Sequence, residues 1–117
     1  MIKVYGIKTC GSFKKGIAYF KENNVEITTI DLKETVPTID EIKKYHILSG
    51  LEIKKFFNTS GKVYRELGLK NKYREMKIEE IYKLLSQNGM LIKRPLVIFG
   101  DIVLVGYNEE KYDSIWK

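Results

Sequence analysis

The first residues of the chain alternate apolar and polar side chains, and residues 2–5 read as a short strand. From Phe13 the period changes. Phe13, Ile17 and Phe20 fall at i, i+4 and i+7, with Lys14, Lys15 and Lys21 off that stripe. This spacing predicts an amphipathic helix of about three turns, ending near Asn23-Asn24. Residues 25–32 are rich in β-branched side chains and read as a second strand. The three elements form a β-α-β unit, whose right-handed crossover sets its two strands parallel.

Thr38, with Glu41 three positions on, has the spacing of a capping box and predicts a helix running to about Leu48. Gly50 then punctuates the chain. Residues 51–57 and 63–67 read as short helical pieces split by Asn58-Thr59-Ser60-Gly61. Ile78, Ile81, Tyr82, Leu84 and Leu85 mark a further helix, stopped by Asn88-Gly89. After Arg94-Pro95, two β-branched runs flank Gly100-Asp101 as a tight hairpin, and Asn108 is placed to cap a terminal helix. A parallel half, inserted helices and an antiparallel half make an α/β, thioredoxin-like arrangement. The expectation is one domain over residues 1–117, with a helical insertion at about 38–88.

Composition narrows the class. The chain has 117 residues, 44% of them apolar and 31% charged, which suits a globular protein with a real core. Its apolar runs are far too short to span a bilayer, and the N-terminus lacks the pattern of an export signal. A single cysteine forbids an internal disulfide and fits a reducing, cytoplasmic setting. The net charge of +6 comes from lysines scattered singly or in pairs, with acids between them. Without a basic arm, zinc-finger spacing or arginine-rich run, this charge gives a positive field that attracts anions. Direct nucleic-acid binding is not expected.

That cysteine, Cys10, falls at the junction of the first strand and the first helix, followed by Gly11 and Ser12. The first-turn N–H groups of a helix lack internal partners and favour an anion, so a thiol placed there gains thiolate character. Gly11 lets a ligand approach the backbone, Ser12 can donate to sulfur or to an oxyanion, and Lys14 and Lys15 add charge. A free cysteine is equally often an inert, buried apolar residue, and position alone leaves both readings open.

Arg94 precedes Pro95 and is held extended by it. An arginine is a natural bidentate partner for an oxyanion or a carboxylate, although the local pattern by itself reads as a loop arginine. His46, the sole histidine, lies in a predicted helix with no other ligand at metal spacing, so no metal site is expected. The eight tyrosines are expected to pack with their hydroxyls at the surface.

Several stretches taken together resemble the ArsC/Spx family of small bacterial proteins. They are the Cys10-x-x-x-Lys14-Lys15 segment, "DLKETVPT", "FFNTSGKVYRELGL", "GMLIKRPLVI" and "VGYNEEKY", in matching order over nearly the whole chain. The resemblance implies a thioredoxin-like fold with an inserted helical part, and a cytoplasmic protein without a bound cofactor. In the arsenate reductases of that family, the cysteine at the position of Cys10 attacks arsenate, and glutathione with glutaredoxin resolves the adduct. The arginine at the position of Arg94 helps hold the oxyanion, and the following proline is cis and faces the thiol.

This chain departs from those enzymes at four positions. Gly6 stands where they carry a histidine, and Lys14 where they carry an arginine. Lys54 and Gly106 align with two further oxyanion arginines. The anion-binding set implied here is therefore Gly11, Ser12, Lys14, Lys54, Arg94 and Pro95 around the Cys10 nucleophile. The Spx branch consists of regulators that bind the RNA polymerase α subunit through its C-terminal domain. Phe13 stands where their CxxC switch has its second cysteine. The resemblance thus implies a glutathione- or glutaredoxin-coupled monothiol oxidoreductase, or alternatively a polymerase-binding regulator without turnover. A monomer is expected in either case.

Overall fold

The computed structural model describes residues 1–117. Its sheet has four strands: β1 (Ile2–Gly6), β2 (Thr28–Asp31), β3 (Leu96–Phe99) and β4 (Ile102–Val105), in the order β2-β1-β3-β4. β1 and β2 are parallel, with Lys3 opposite Thr28 and Gly6 opposite Asp31. β1 and β3 are antiparallel, as are β3 and β4. The arrangement is the mixed α/β, thioredoxin-like one expected from the pattern. β2 covers only the second half of the expected strand, because β1 offers partners to residues 28–31 alone.

Helix α1 (Gly11–Glu22) crosses between the parallel strands. On one face of the sheet it packs with the terminal helix α6 (Glu109–Trp116), burying Phe13, Phe20 and Tyr112 against Val4, Val97 and Leu104. On the other face lie α2 (Ile39–Ser49), α3 (Lys62–Glu66), α4 (Leu69–Lys72) and α5 (Ile78–Gln87). These cover Tyr5, Leu96, Ile98 and Val103, so successive residues of β3 alternate between the two cores. None of the six helices is long and apolar enough to cross a membrane.

The helix starts follow the sequence signals. Glu41 N donates to Thr38 Oγ1 at 3.1 Å, and Thr38 N donates to Glu41 Oε1 at 3.0 Å, a complete capping box for α2. Asn108 Oδ1 accepts from Lys111 N at 3.0 Å and starts α6. A short 3-10 turn at Ile53–Phe56 replaces the longer piece expected around residues 51–57. It is pinned to the chain ahead of Arg94, where Lys93 N donates to Phe56 O at 2.8 Å and Asn58 N to Leu91 O at 2.7 Å.

The tyrosines correct an expectation. Tyr112 is fully buried and its hydroxyl donates to Gly106 O at 3.1 Å. Tyr5 and Tyr45 are buried with their hydroxyls 3.4 Å apart, and the Tyr19 hydroxyl donates to Asp113 Oδ1 at 2.8 Å. Each ring is used for its apolar area while its oxygen finds a partner inside the protein. His46 likewise bridges elements, with Nδ1 at 2.7 Å from Tyr82 Oη and Nε2 at 2.9 Å from Leu51 O. Both of its ring nitrogens are used in joining α2 to α5 and to the turn after α2.

Candidate active site

Cys10 is the N-cap residue of α1, with extended backbone angles and no hydrogen bond from its side chain to the helix. It is half-buried and packs against the edges of both cores, at the seam where α1 leaves the sheet. Cys10 N donates to Ile7 O at 2.9 Å, and Cys10 O accepts from Lys14 N at 3.0 Å, which fixes the turn that presents the sulfur.

The thiol's acidity is set by opposing effects. Burial raises its pKa, but the Phe13 N–H, the Arg94 guanidinium and the Ser12 N–H together outweigh burial, and the pKa lies below the ordinary thiol value. The two N–H groups belong to the open first turn of α1, so the positive end of the helix faces the sulfur. Arg94 acts from nearby with its positive charge.

Arg94 is half-buried, unlike a free loop arginine. Its Nη1 donates to Met90 O at 3.2 Å and to Ile92 O at 3.4 Å. These carbonyls come from the 3-10 turn at Gly89–Leu91 and the residue after it, so the guanidinium is braced from behind. Arg94 Nε is buried and no group of the protein accepts from it. The Arg94-Pro95 peptide bond is cis.

Pro95 is buried against α1. Its Cγ lies 3.2 Å from where a Cβ on Gly16 would be, so the helix and the proline turn approach through a residue without a side chain. Gly89 plays a similar part beneath Arg94, because a Cβ there would collide with the Leu32 carbonyl oxygen. The sequence stripe on α1 passed over Gly16, since a mid-helix glycine reads as a weakness in the pattern. Only the packing of Pro95 gives it a reason.

The structure thus brings Cys10, Gly11, Ser12, Arg94 and Pro95 to one end of the sheet. Gly11 is exposed with open space around its Cα, which leaves a ligand room to reach the helix start. Lys14 is exposed on the first turn of α1 and has no carboxylate partner. Lys54 is placed differently. Its ammonium sits 5.7 Å from the centre of the Tyr73 ring, in a cleft shared with Lys55, Lys93 and Thr59 that Cys10 does not line. No group of three or more His, Cys, Asp or Glu side chains is arranged to hold a metal ion.

Comparisons with known proteins agree with this fold. The family model described as "ArsC family" matches residues 5–115. The chain is 43% identical over 112 residues to YusI, an uncharacterized protein of Bacillus subtilis (strain 168), covering 96% of this chain and 95% of that one. A solved structure described as a possible arsenate reductase from Streptococcus mutans UA159 superposes with a TM-score of 0.89 at 37% identity, covering 97% and 98% of the two chains. The global transcriptional regulator Spx 2 of Bacillus anthracis is 24% identical over 111 residues, covering 95% of this chain and 83% of its own.

Proposed function

This chain belongs to the ArsC family, and on that premise we propose that it is a monothiol oxidoreductase of the arsenate reductase-like type. The observation that carries the reading is the Cys10 thiol. It is lowered in pKa by two first-turn N–H groups and by a braced arginine, in a chain with no second thiol. Cys10 is the nucleophile. Gly11 and Ser12 offer the helix start to an oxyanion or to a carboxylate of glutathione, and Arg94 supplies the fixed positive charge. Lys14 adds an exposed charge on the same turn, whereas Lys54, held over Tyr73, takes no part at the thiol.

In a cycle on an oxyanion such as arsenate, the Cys10 thiolate forms a bond to arsenic and one oxygen leaves as water. Glutathione then attacks the adduct, and a second glutathione completes the two-electron reduction, through glutaredoxin where that protein is present. Two glutathione thiols end as one disulfide, the substrate leaves reduced by two electrons, and Cys10 is regenerated. On a mixed disulfide the same thiolate displaces a thiolate leaving group instead. No second protein cysteine is needed in either case.

The test is arsenate-dependent NADPH oxidation coupled through glutathione, glutathione reductase and glutaredoxin, with Cys10→Ser as control. Turnover abolished in Cys10→Ser supports the arsenate reading. No arsenate turnover, with a glutathione adduct on Cys10 by mass spectrometry, places the chemistry on mixed disulfides. A thiol with ordinary slow alkylation and no adduct rejects the enzyme.

A second reading rests on the similarity to Spx 2 across 95% of the chain. On that reading the protein binds the RNA polymerase α subunit without turnover, and Phe13 removes the disulfide switch. Binding of the α C-terminal domain that survives Cys10→Ser supports it, and absence of binding rejects it.

A further inference from the structure

Outside the thiol site, a cleft of about 350 Å³ opens between the edge strand β4, the turn after α2 and the start of α6. Its size falls at the low end of small-ligand pockets, about 300–1,000 Å³. Leu51, Val103 and Val105 contribute its apolar lining; Leu51 is 39% exposed, Val105 half-buried and Val103 largely within the core. Its charged rim is made by Lys55, Lys93 and Lys111. None of these three ammonium groups has a carboxylate within ion-pair distance, and no acidic residue lines the cleft.

The rim is built by three separate parts of the chain. Lys55 stands on the 3-10 turn after α2, Lys93 on the segment bonded to Phe56 O, and Lys111 on the first turn of α6. The stem of Lys93 lies over Gly106, its Cε 3.4 Å from where a Cβ on Gly106 would be. Lys55 and Lys93 also line the adjoining cleft that holds Lys54 and Thr59, so positive charge is concentrated where the two openings meet. Glu52 is the one acid in that second cleft.

Three like charges lining one cleft without a counter-ion favour an anion seated among them. The exposed part of Leu51 and the half-buried Val105 beside them gain from an apolar body on the same ligand. From this combination we propose that the cleft binds a small organic anion: a carboxylate, sulfonate or phosphate head between Lys55 and Lys93, with an apolar body against β4. A bare inorganic anion leaves the apolar surface of Leu51 and Val105 wet, and a neutral apolar molecule leaves the lysines unpaired. None of Cys10, Gly11, Ser12, Arg94 or Pro95 lines it, so the site lies apart from the thiol itself, although Gly106 is among its lining residues.

The experiment uses 8-anilinonaphthalene-1-sulfonate as the probe, titrated into the full chain and followed by fluorescence and by methyl NMR of Leu51, Val103 and Val105. One saturable site is expected, with shifts centred on those three methyl sets and affinity falling as salt rises. In Lys55→Gln/Lys93→Gln/Lys111→Gln, which removes only surface charge, affinity is expected to drop by about tenfold or more. Lys43→Gln/Lys44→Gln, elsewhere on the surface, is expected to bind like the wild type. Failure to saturate, unchanged affinity in the triple variant, or shifts centred on Ile47 and Leu48 overturns the proposal. Inorganic phosphate binding as tightly as the probe also overturns it, because charge alone would then suffice.

Discussion

The ring of Phe13 occupies the space that a Cβ on Gly6 would need. Gly6 ends β1 and Phe13 lies on the first turn of α1, so the two residues that flank Cys10 in sequence meet directly beside it. The position where related reductases carry a histidine and the position where Spx proteins carry a second cysteine are therefore one packing unit here. Gly6→Ala should destabilise the fold by about 1–3 kcal/mol, the usual cost of overpacking a filled core. Combining it with Phe13→Ala should give less than the sum of the two single costs, because the second change vacates the space that the first needs. Chemical denaturation of the four proteins measures the coupling, and strict additivity would show that the ring moves aside freely.

Arg94 should matter to Cys10 through thiolate fraction. Replacing it by Gln removes a nearby charge that lowers the thiol's pKa, so the pKa should rise. A higher pKa lowers the thiolate fraction, so iodoacetamide alkylation near neutral pH should slow. At alkaline pH, where both thiols are ionised, the two rates should converge. A gap that persists there would mean that Arg94 controls access to the sulfur and not its ionisation.

What the sequence made legible follows from the range of the interactions. The capping box at Thr38 and Glu41 and the cap at Asn108 are contacts over three residues, and their residue types announce them. Periodicity located α1, α5 and the hairpin because each buries one regular face. The stretch "LKNKYRE" has no such face, and its α4 and the 3-10 turn at Tyr73–Glu75 are too short to show a period. The buried hydroxyl pair of Tyr5 and Tyr45 spans 40 positions, so nothing local marks either tyrosine as internal. At the site, the helix start around Cys10 was readable for the same local reason. The bracing of Arg94 by Met90 O and Ile92 O, and the placing of Lys54 over Tyr73, depend on how the inserted helices dock.

Gly16 should be a positioning residue for the proline turn. Its absent side chain leaves Pro95 Cγ 3.2 Å from the Cβ position, and α1 cannot retreat without opening the core at Phe13 and Phe20. Gly16→Ala gains about 0.5–1 kcal/mol of helix propensity, against a contact that needs only a few tenths of an ångström of relief. Gly16→Val adds two more methyl groups and should cost about 1–3 kcal/mol net. It should also slow alkylation of Cys10, since pushing Pro95 away carries Arg94 with it. A Gly16→Val protein that is destabilised but alkylates at the wild-type rate would confine Gly16 to packing.

Tyr112 offers a test with a defined pH sign. Its hydroxyl is buried and donates to Gly106 O, and burial raises its pKa well above the ordinary tyrosine value. At neutral pH, Tyr112→Phe should cost about 1–3 kcal/mol, because the Gly106 carbonyl is left without its partner. Above the unfolded-state pKa of about 10, the unfolded chain releases a proton that folded Tyr112 still holds. The unfolded state then binds fewer protons, so wild-type stability falls as pH rises through this range. The Tyr112→Phe variant has no proton to release at this position, and its stability should fall less steeply. The wild-type advantage should therefore narrow between about pH 9 and pH 11 in urea denaturation series. A gap that stays constant across that range would mean that the Tyr112 hydroxyl ionises as easily in the folded protein as in the unfolded chain.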